Sequence, residues 1–222
     1  MEDYEAWVKY PEHRWVYNKL ELSLKLGYDV GPACVPITKS GNYVIRPIYN
    51  LYGMGIGAKI VHLDASVIDD MKNHAAVPPG YFWCEAFEGT HYSVDFIRTK
   101  APMGSVFCWE PMCTIVGEQD RNLLTKFKSW VKIENKTFEL PRFLNDIDVP
   151  NMNIEFIGDK IIEIHLRTGN DVLYCEEIGT RIIPVWESDH DISTDIDNED
   201  PDTRYNAFGH LDHVRLGYRY ER

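Results

Sequence analysis

YVIRPIYNLYGMGIGAKIVHLD, residues 43–64, reads as two strands joined by a glycine-rich loop. YVIRPIYNL and AKIVHLD are the strand-like runs, and Gly53, Gly55 and Gly57 alternate between them, the pattern of a hairpin with a flexible tip. Glycines carry no Cβ, so such a loop brings backbone N–H groups close to a bound anion, with a triphosphate the obvious candidate. The loop is not a Walker motif, because no Lys-Ser/Thr follows and no helix starts there. Nor is it the GxGxxG dinucleotide fingerprint. A plain hairpin tip accounts for three glycines equally well. Arg46-Pro47 just upstream and Lys59 just downstream supply basic groups that could reach phosphates. An edge arginine in solvent beside an edge proline is the alternative.

Working outward, residues 12–27, EHRWVYNKLELSLKLG, read as a helix with Trp15, Leu20, Leu22, Leu24 and Leu26 on its apolar face and Gly27 as C-cap. YDVGPACVPITKSGN is a connector rich in Gly and Pro. Residues 65–75 form a weak helix candidate that VPPG breaks. YFWCEAF and HYSVDFIR read as strands, as does SVFCWEPMCTIVGE with bends. Residues 118–132, EQDRNLLTKFKSWVK, predict a helix with Leu123, Leu124, Phe127, Trp130 and Val131 inward, and ELPRFLNDI a short helix or turn.

MNIEFIGDKIIEIHLR (152–167) is the clearest hairpin, turning at Gly158-Asp159. Counting outward from the turn, Glu155 and Glu163 sit about level and can face one another. Two facing carboxylates repel unless a cation lies between them. Magnesium favours oxygen ligands, often one or two carboxylates plus substrate phosphates. His165 and Arg167 follow Glu163 at steps of two and share its face, amid Ile161, Ile162, Ile164 and Leu166. A solvated polar face on a half-buried strand is the alternative.

These pieces occur in the order found in the ATP-grasp superfamily. VYNKLELSLKLGYDVGPACVP resembles that group's opening helix and connector. YVIRPIYNLYGMGIGAKIV resembles the strand with a basic-Pro pair, the lid loop and the returning strand. FWCEAFEGTHYSVDFI resembles the hinge that holds adenine, and MNIEFIGDKIIEIHLRTGND the magnesium strands. The match spans about residues 13–171. It implies an α+β fold, with two α+β lobes whose antiparallel sheets enclose a nucleotide cleft. Residues 1–186 would form this unit, the glycine-loop lobe at about 35–95 and the magnesium-strand lobe at about 96–186.

By this resemblance Arg46 contacts phosphates, the loop from Gly53 through Gly55 to Gly57 is the lid over ATP, and Lys59 supports it. Glu85, Ala86 and Phe87 offer backbone groups to adenine. His91 falls where an acidic residue often holds the ribose, a contact Glu88 would take over. Glu155 and Glu163 hold Mg2+. His165 stands where Asn is usual and brings a nitrogen ligand less suited to magnesium. Arg167 steadies the phosphate or acyl-phosphate oxygen, and Arg46 and Arg167 carry the catalytic roles. The implied activity is an ATP- and magnesium-dependent ligation. A carboxylate becomes an acyl phosphate and an amine displaces the phosphate, with small-molecule carboxylate and amine substrates or a peptide as partners. The lobe that precedes the grasp domain in full ligases is expected to be missing. That leaves open a partner chain that supplies it, or a degenerate nucleotide-binding or interaction module without catalysis.

The net charge of -12 argues against a general nucleic-acid binder, which needs a basic face. The apolar share of 44% permits a sizeable core. MEDYEAWVKY has neither the basic nor the apolar region of a signal peptide, and no stretch approaches a membrane span. The odd set of Cys34, Cys84, Cys108, Cys113 and Cys175 suits a reducing compartment, and the expected location is cytoplasmic. The six tryptophans are expected in the core. Residues 187–202, ESDHDISTDIDNEDPD, read as an acidic loop heading a C-terminal segment, 187–222, with RLGYRYER a closing strand. That loop lacks the EF-hand pattern. His210 and His213 with Asp189-His190-Asp191 form a third, zinc-type alternative.

Overall fold

The computed structural model describes residues 1–51, 55, 57–65, 77–100, 107–119, 124, 127–186 and 215–221. The helix candidate at 65–75, the acidic run, His210, His213 and Gly53 all lie wholly or largely outside these residues.

Two antiparallel sheets build the molecule. The first has four strands in the order β1 (Val30–Pro32), β4 (Tyr81–Glu85), β2 (Gly41–Pro47), β3 (Lys59–Leu63). The second has seven strands: β5 (His91–Lys100), β6 (Phe107–Gln119), β7 (Phe127–Ile133), β8 (Asn151–Ile157), β9 (Lys160–His165), β10 (Arg181–Trp186) and β11 (Arg215–Glu221). They lie in the order β11-β10-β7-β6-β5-β8-β9. Both expected hairpins form, β2 on β3 and β8 on β9, and RLGYRYE closes the sheet as β11. A boundary at 95/96 falls inside β5, which lies wholly in the second sheet.

Two helices differ from expectation. α1 (Asp3–Lys9) precedes residues 12–27, which are themselves split between a 3₁₀ helix from Pro11 to Tyr17 and α2, Lys19–Lys25. Asn18 breaks the run. Its backbone is extended and its side-chain oxygen caps the Glu21 amide at 3.1 Å. The buried face of α2 is Lys19, Leu22 and Ser23, at helical spacing, while Leu24 is 58% exposed. Of the expected apolar face, Leu22 is buried and Trp15 and Leu26 pack partly buried against the core, while Leu24 faces out. Gly27, at φ 77, does end the helix.

The second difference is the expected helix at 118–132, whose C-terminal half is β7, with β6 reaching Gln119. FKSWVKI alternates and is aromatic and β-branched, and β7 lies between β6 and β10 in mid-sheet. Trp130 and Phe127 pack close against Gly117. A Cβ there would lie 2.5 Å from the indole, so this strand position requires glycine.

The main core lies on the face of the second sheet turned towards the N-terminal helices. It is formed by Val94, Phe96, Met152, Ile154, Phe156 and Ile164 with Ala6, Val16, Tyr17 and Leu22. Trp83, Trp130 and Trp186 are buried, and Trp7, Trp15 and Trp109 pack partly buried against the main core. The opposite face carries His91, Ser93, Asp95, Asn153, Glu155, Glu163 and His165 at alternating positions.

Register within β8–β9 decides that face. A straight two-residue hairpin would set Glu155 opposite Ile162. A bulge instead takes up Ile162, so Glu155 pairs with Glu163 and Asn153 with His165.

Candidate nucleotide and metal site

A cleft of about 1330 Å³ separates the sheets, lined from both sides. Arg46, Gly55 and Ala58 come from the first sheet and its glycine loop. Glu85, Ala86, Phe87 and Glu88 come from the hinge between the sheets, His91, Glu155, Glu163 and His165 from the second sheet, and Arg167 from just beyond β9. Most of the expected residues therefore meet in one place. Lys59 does not: it is exposed, while its neighbours Ala58 and Ile60 line the cleft. Strand alternation turns Lys59 away. Gly57, also outside the lining, has φ 77, and a Cβ there would lie 2.8 Å from the Tyr81 hydroxyl.

The hinge amides are partly committed. Glu85 N–H donates to the Asp29 carbonyl at 3.1 Å and Ala86 N–H to the Asn42 carbonyl at 3.0 Å. Gly158 N–H donates to the Thr90 carbonyl at 2.8 Å, which seats the hinge on the turn of the β8–β9 hairpin.

Arg46 is 8% exposed. Its Nη1 donates to the Ile162 carbonyl at 3.0 Å and lies 3.8 Å from Glu163 Oε1, and its guanidinium sits over the Phe82 ring. It thus crosses from the first sheet to the bulge of the second. Lys19, on the buried face of α2, forms an ion pair with Glu163 Oε1.

The three candidate metal ligands stand together, their donor atoms within 4.8 Å of one another. His165 Nε2 lies 3.5 Å from Glu163 Oε2 and 3.8 Å from Glu155 Oε1. Each ligand is backed from outside. His91 Nε2 meets Glu155 Oε2 at 3.2 Å, Lys19 holds Glu163 Oε1, and Asp3 Oδ2 contacts His165 Nδ1 at 2.8 Å. Asp3, 1% exposed on α1, also takes Arg167 at 3.0 Å from both Nη2 and Nε. The expected phosphate arginine is therefore in contact with a carboxylate of its own chain. His91 supports Glu155 through Nε2 and packs edge-on against Phe127 and Trp130, while its Nδ1 has no hydrogen-bond partner among the described residues.

Electrostatics follow from this packing. Burial alone would raise the Glu163 carboxyl, but the Lys19 ammonium and then His165 bring it down to about 2. Burial also opposes ionisation of Glu155, which His165 and His91 hold well below the usual range. Burial pushes the His165 ring towards neutrality, yet Asp3, Glu155 and Glu163 outweigh it and raise it well above an ordinary histidine. The His165 ring stands between the two carboxylates, and both favour its charged form.

Beside this cluster lies a network that sequence reasoning missed. Buried Asp95 accepts from the Gly169 and Asn170 amides at 2.8 and 2.9 Å, from Asn153 at 2.7 Å and from the Tyr174 hydroxyl at 2.5 Å. It fixes the loop that follows Arg167. Asp3 and Lys19 were missed as well. Lys19 had a signal, since a lysine shares the helical stripe of Leu22 and Ser23. Asp3 had none.

These two antiparallel sheets, meeting at a hinge and enclosing a cleft, are an ATP-grasp-like α+β fold. Among solved structures, N5-carboxyaminoimidazole synthetase from Staphylococcus aureus superposes with a TM-score of 0.54 at 9% identity, over 92% of this chain and 66% of that one. Its complex with ADP gives 0.53 at 12%, over 91% and 65%. L-amino acid ligase from Bacillus licheniformis matches at 0.46 and 10%, over 70% and 41%. The chain thus spans 41 to 66% of the length of these structures, and at such identities the likeness is one of fold. No protein-family model and no curated protein matches the sequence. Among the described residues no helix is long and apolar enough to cross a membrane.

Proposed function

We propose that this chain is the nucleotide-binding unit of an ATP-dependent ligase that activates a carboxylate for attack by an amine. The observation that carries the reading is Arg46. It reaches from the sheet bearing the glycine loop to the bulge beside Glu155, Glu163 and His165, so phosphate-binding and cation-binding groups converge in one cleft. The ADP complex of the synthetase, whose fold this chain shares, supports a nucleotide there.

The donor set fits a divalent cation, since two carboxylates and an imidazole point at a common centre. Bound there, the ion would neutralise phosphate oxygens. The chain supplies the rest. The glycine loop closes over the triphosphate, the Phe87 backbone at the hinge meets the base, and Arg46 neutralises the phosphates. The substrate carboxylate oxygen attacks the γ-phosphorus, and ADP leaves. The amine then attacks the acyl carbon, losing a proton as phosphate departs. Arg167 steadies the transferring phosphoryl group, for which it must exchange Asp3 for substrate.

That Asp3 contact favours a second reading, a nucleotide-binding module without turnover. One assay separates the two. Phosphate release from ATP is measured with wild-type protein and Glu163→Gln across a panel of amino acids, with thermal shift reporting ATP binding. Turnover that falls at least 100-fold in the variant supports the ligase. Binding with equal residual rates in both proteins sinks it and leaves the module.

A further inference from the structure

The fold family implies magnesium, but the donors present here include a nitrogen. We propose that Glu155 Oε1, Glu163 Oε2 and His165 Nε2 form a mixed carboxylate–imidazole cation site, oriented by Asp3, that takes manganese or a similar transition-metal ion ahead of magnesium. The proposal refines the cation site of the function proposed above and rests on that reading for its role in the reaction.

Three features carry it. His165 Nε2 is too far from either inward carboxylate oxygen for a hydrogen bond and at distances suited to shared coordination. His165 Nε2 lies 3.5 and 3.8 Å from the two carboxylate oxygens, whereas hydrogen bonds fall at about 2.7–3.2 Å. Ligands at about 2.0–2.2 Å from one ion stand roughly 3–4 Å apart.

Second, every ligand is used twice, with its other donor atom turned outward to a fixed partner. His91 takes Glu155 Oε2, Lys19 takes Glu163 Oε1, and Asp3 takes His165 Nδ1. A carboxylate on the far nitrogen is the arrangement that fixes the tautomer and ring angle of a metal-bound histidine. Asp3 is itself held by Arg167, so its orientation is set from both sides.

Third, imidazole discriminates between ions. Magnesium demands an octahedron of oxygens, whereas manganese, cobalt and zinc accept imidazole nitrogen readily. The bulge at Ile162 puts this nitrogen at the cation position by geometry, whatever the chain does in turnover.

The test is direct binding of Mn2+ to the full chain, followed by electron paramagnetic resonance, with Mg2+ as competitor and no nucleotide present. Wild-type protein should bind Mn2+ at least 10-fold tighter than Mg2+, and pulsed spectra should show nitrogen coupling that changes when histidine is labelled with 15N. His165→Asn should lose the coupling and bring the two ions within about 3-fold. Asp3→Asn should keep the coupling and weaken Mn2+ by roughly 10–100-fold. Absence of nitrogen coupling in the wild-type complex, or Mg2+ displacing Mn2+ at equal concentration, overturns the proposal. The labelled wild-type protein decides the matter even if a variant fails to fold. ATP binding is measured in a separate arm by calorimetry. Nitrogen-coupled Mn2+ without ATP binding leaves the ion site standing and removes the ligase reading, and ATP binding without coupling does the reverse.

Discussion

The glycine-loop hairpin β2–β3 and the carboxylate hairpin β8–β9 face the same cleft, yet they are built in opposite ways. β3 is mostly exposed, with Lys59, Ile60 and His62 open to solvent, and the basic group the hairpin sends inward is Arg46. β9 is buried along most of its length, and two of its charged side chains, Glu163 and His165, are tied to residues far away in sequence. One hairpin leaves its outer strand open to solvent, while the other is a frame tied to distant residues. Removing a charge from the buried hairpin should be costly, and removing one from the exposed strand β3 should cost little.

The contrast can be broken at several points. Lys19→Ala strips Glu163 of its buried partner and should cost about 3–5 kcal/mol by urea denaturation, the largest effect expected. A loss below about 1 kcal/mol would show that the frame is not rigid. The behaviour of Cys84 on β4 comes next. Burial pushes its thiol up to about 12, against the pull of Arg46. A group raised in the folded state contributes fully below its unfolded value of 9.0, and that contribution is lost as pH climbs towards 12. Between pH 9 and 10.5 wild-type protein should therefore lose on the order of 2 kcal/mol more than Cys84→Ala. Parallel curves for the two proteins would refute this.

Gly57→Ala puts a side chain at φ 77, 2.8 Å from the Tyr81 hydroxyl, and should cost roughly 1–2 kcal/mol. Its thermal midpoint tests whether the base of the loop is ordered without ligand. Lys59→Ala should change stability by less than about 0.5 kcal/mol. It should also leave ATP affinity unchanged, since Lys59 lies outside the cleft lining. A clear drop in affinity would return it to the site.

What could be read in the sequence was local. Period-two alternation identified β8, β9 and β5, and the order of motifs placed Arg46, the hinge and the two glutamates around one cleft. Three things were beyond local pattern. Lys19 and Asp3 meet Glu163 and His165 across 144 and 162 residues, and although the place of Lys19 on the stripe of Leu22 marks it as buried, nothing local names a partner so distant. β7 was concealed because EQDRNLLTKF carries helical spacing into a stretch whose place is set by strands on either side. Asp95 passed as one more alternating strand residue. Its role depends on a loop 74 residues later.

The bulge at Ile162 makes sidedness in this hairpin a matter of parity. Ile161 and Ile164 both face the core, an odd number of steps apart, because one residue between them is not counted. Were Ile162 counted, Glu163, His165 and Arg167 would turn into the apolar core, and Ile164 and Leu166 into the cleft. Deleting Ile162 should therefore leave the ligands on the correct side and remove only the carbonyl that Arg46 holds, whereas inserting one residue after it should invert the strand. The composition of the site thus rests on the parity of the paired residues rather than on the length of the strand. A sequence that keeps every ligand but gains one residue at this place would specify a different molecule.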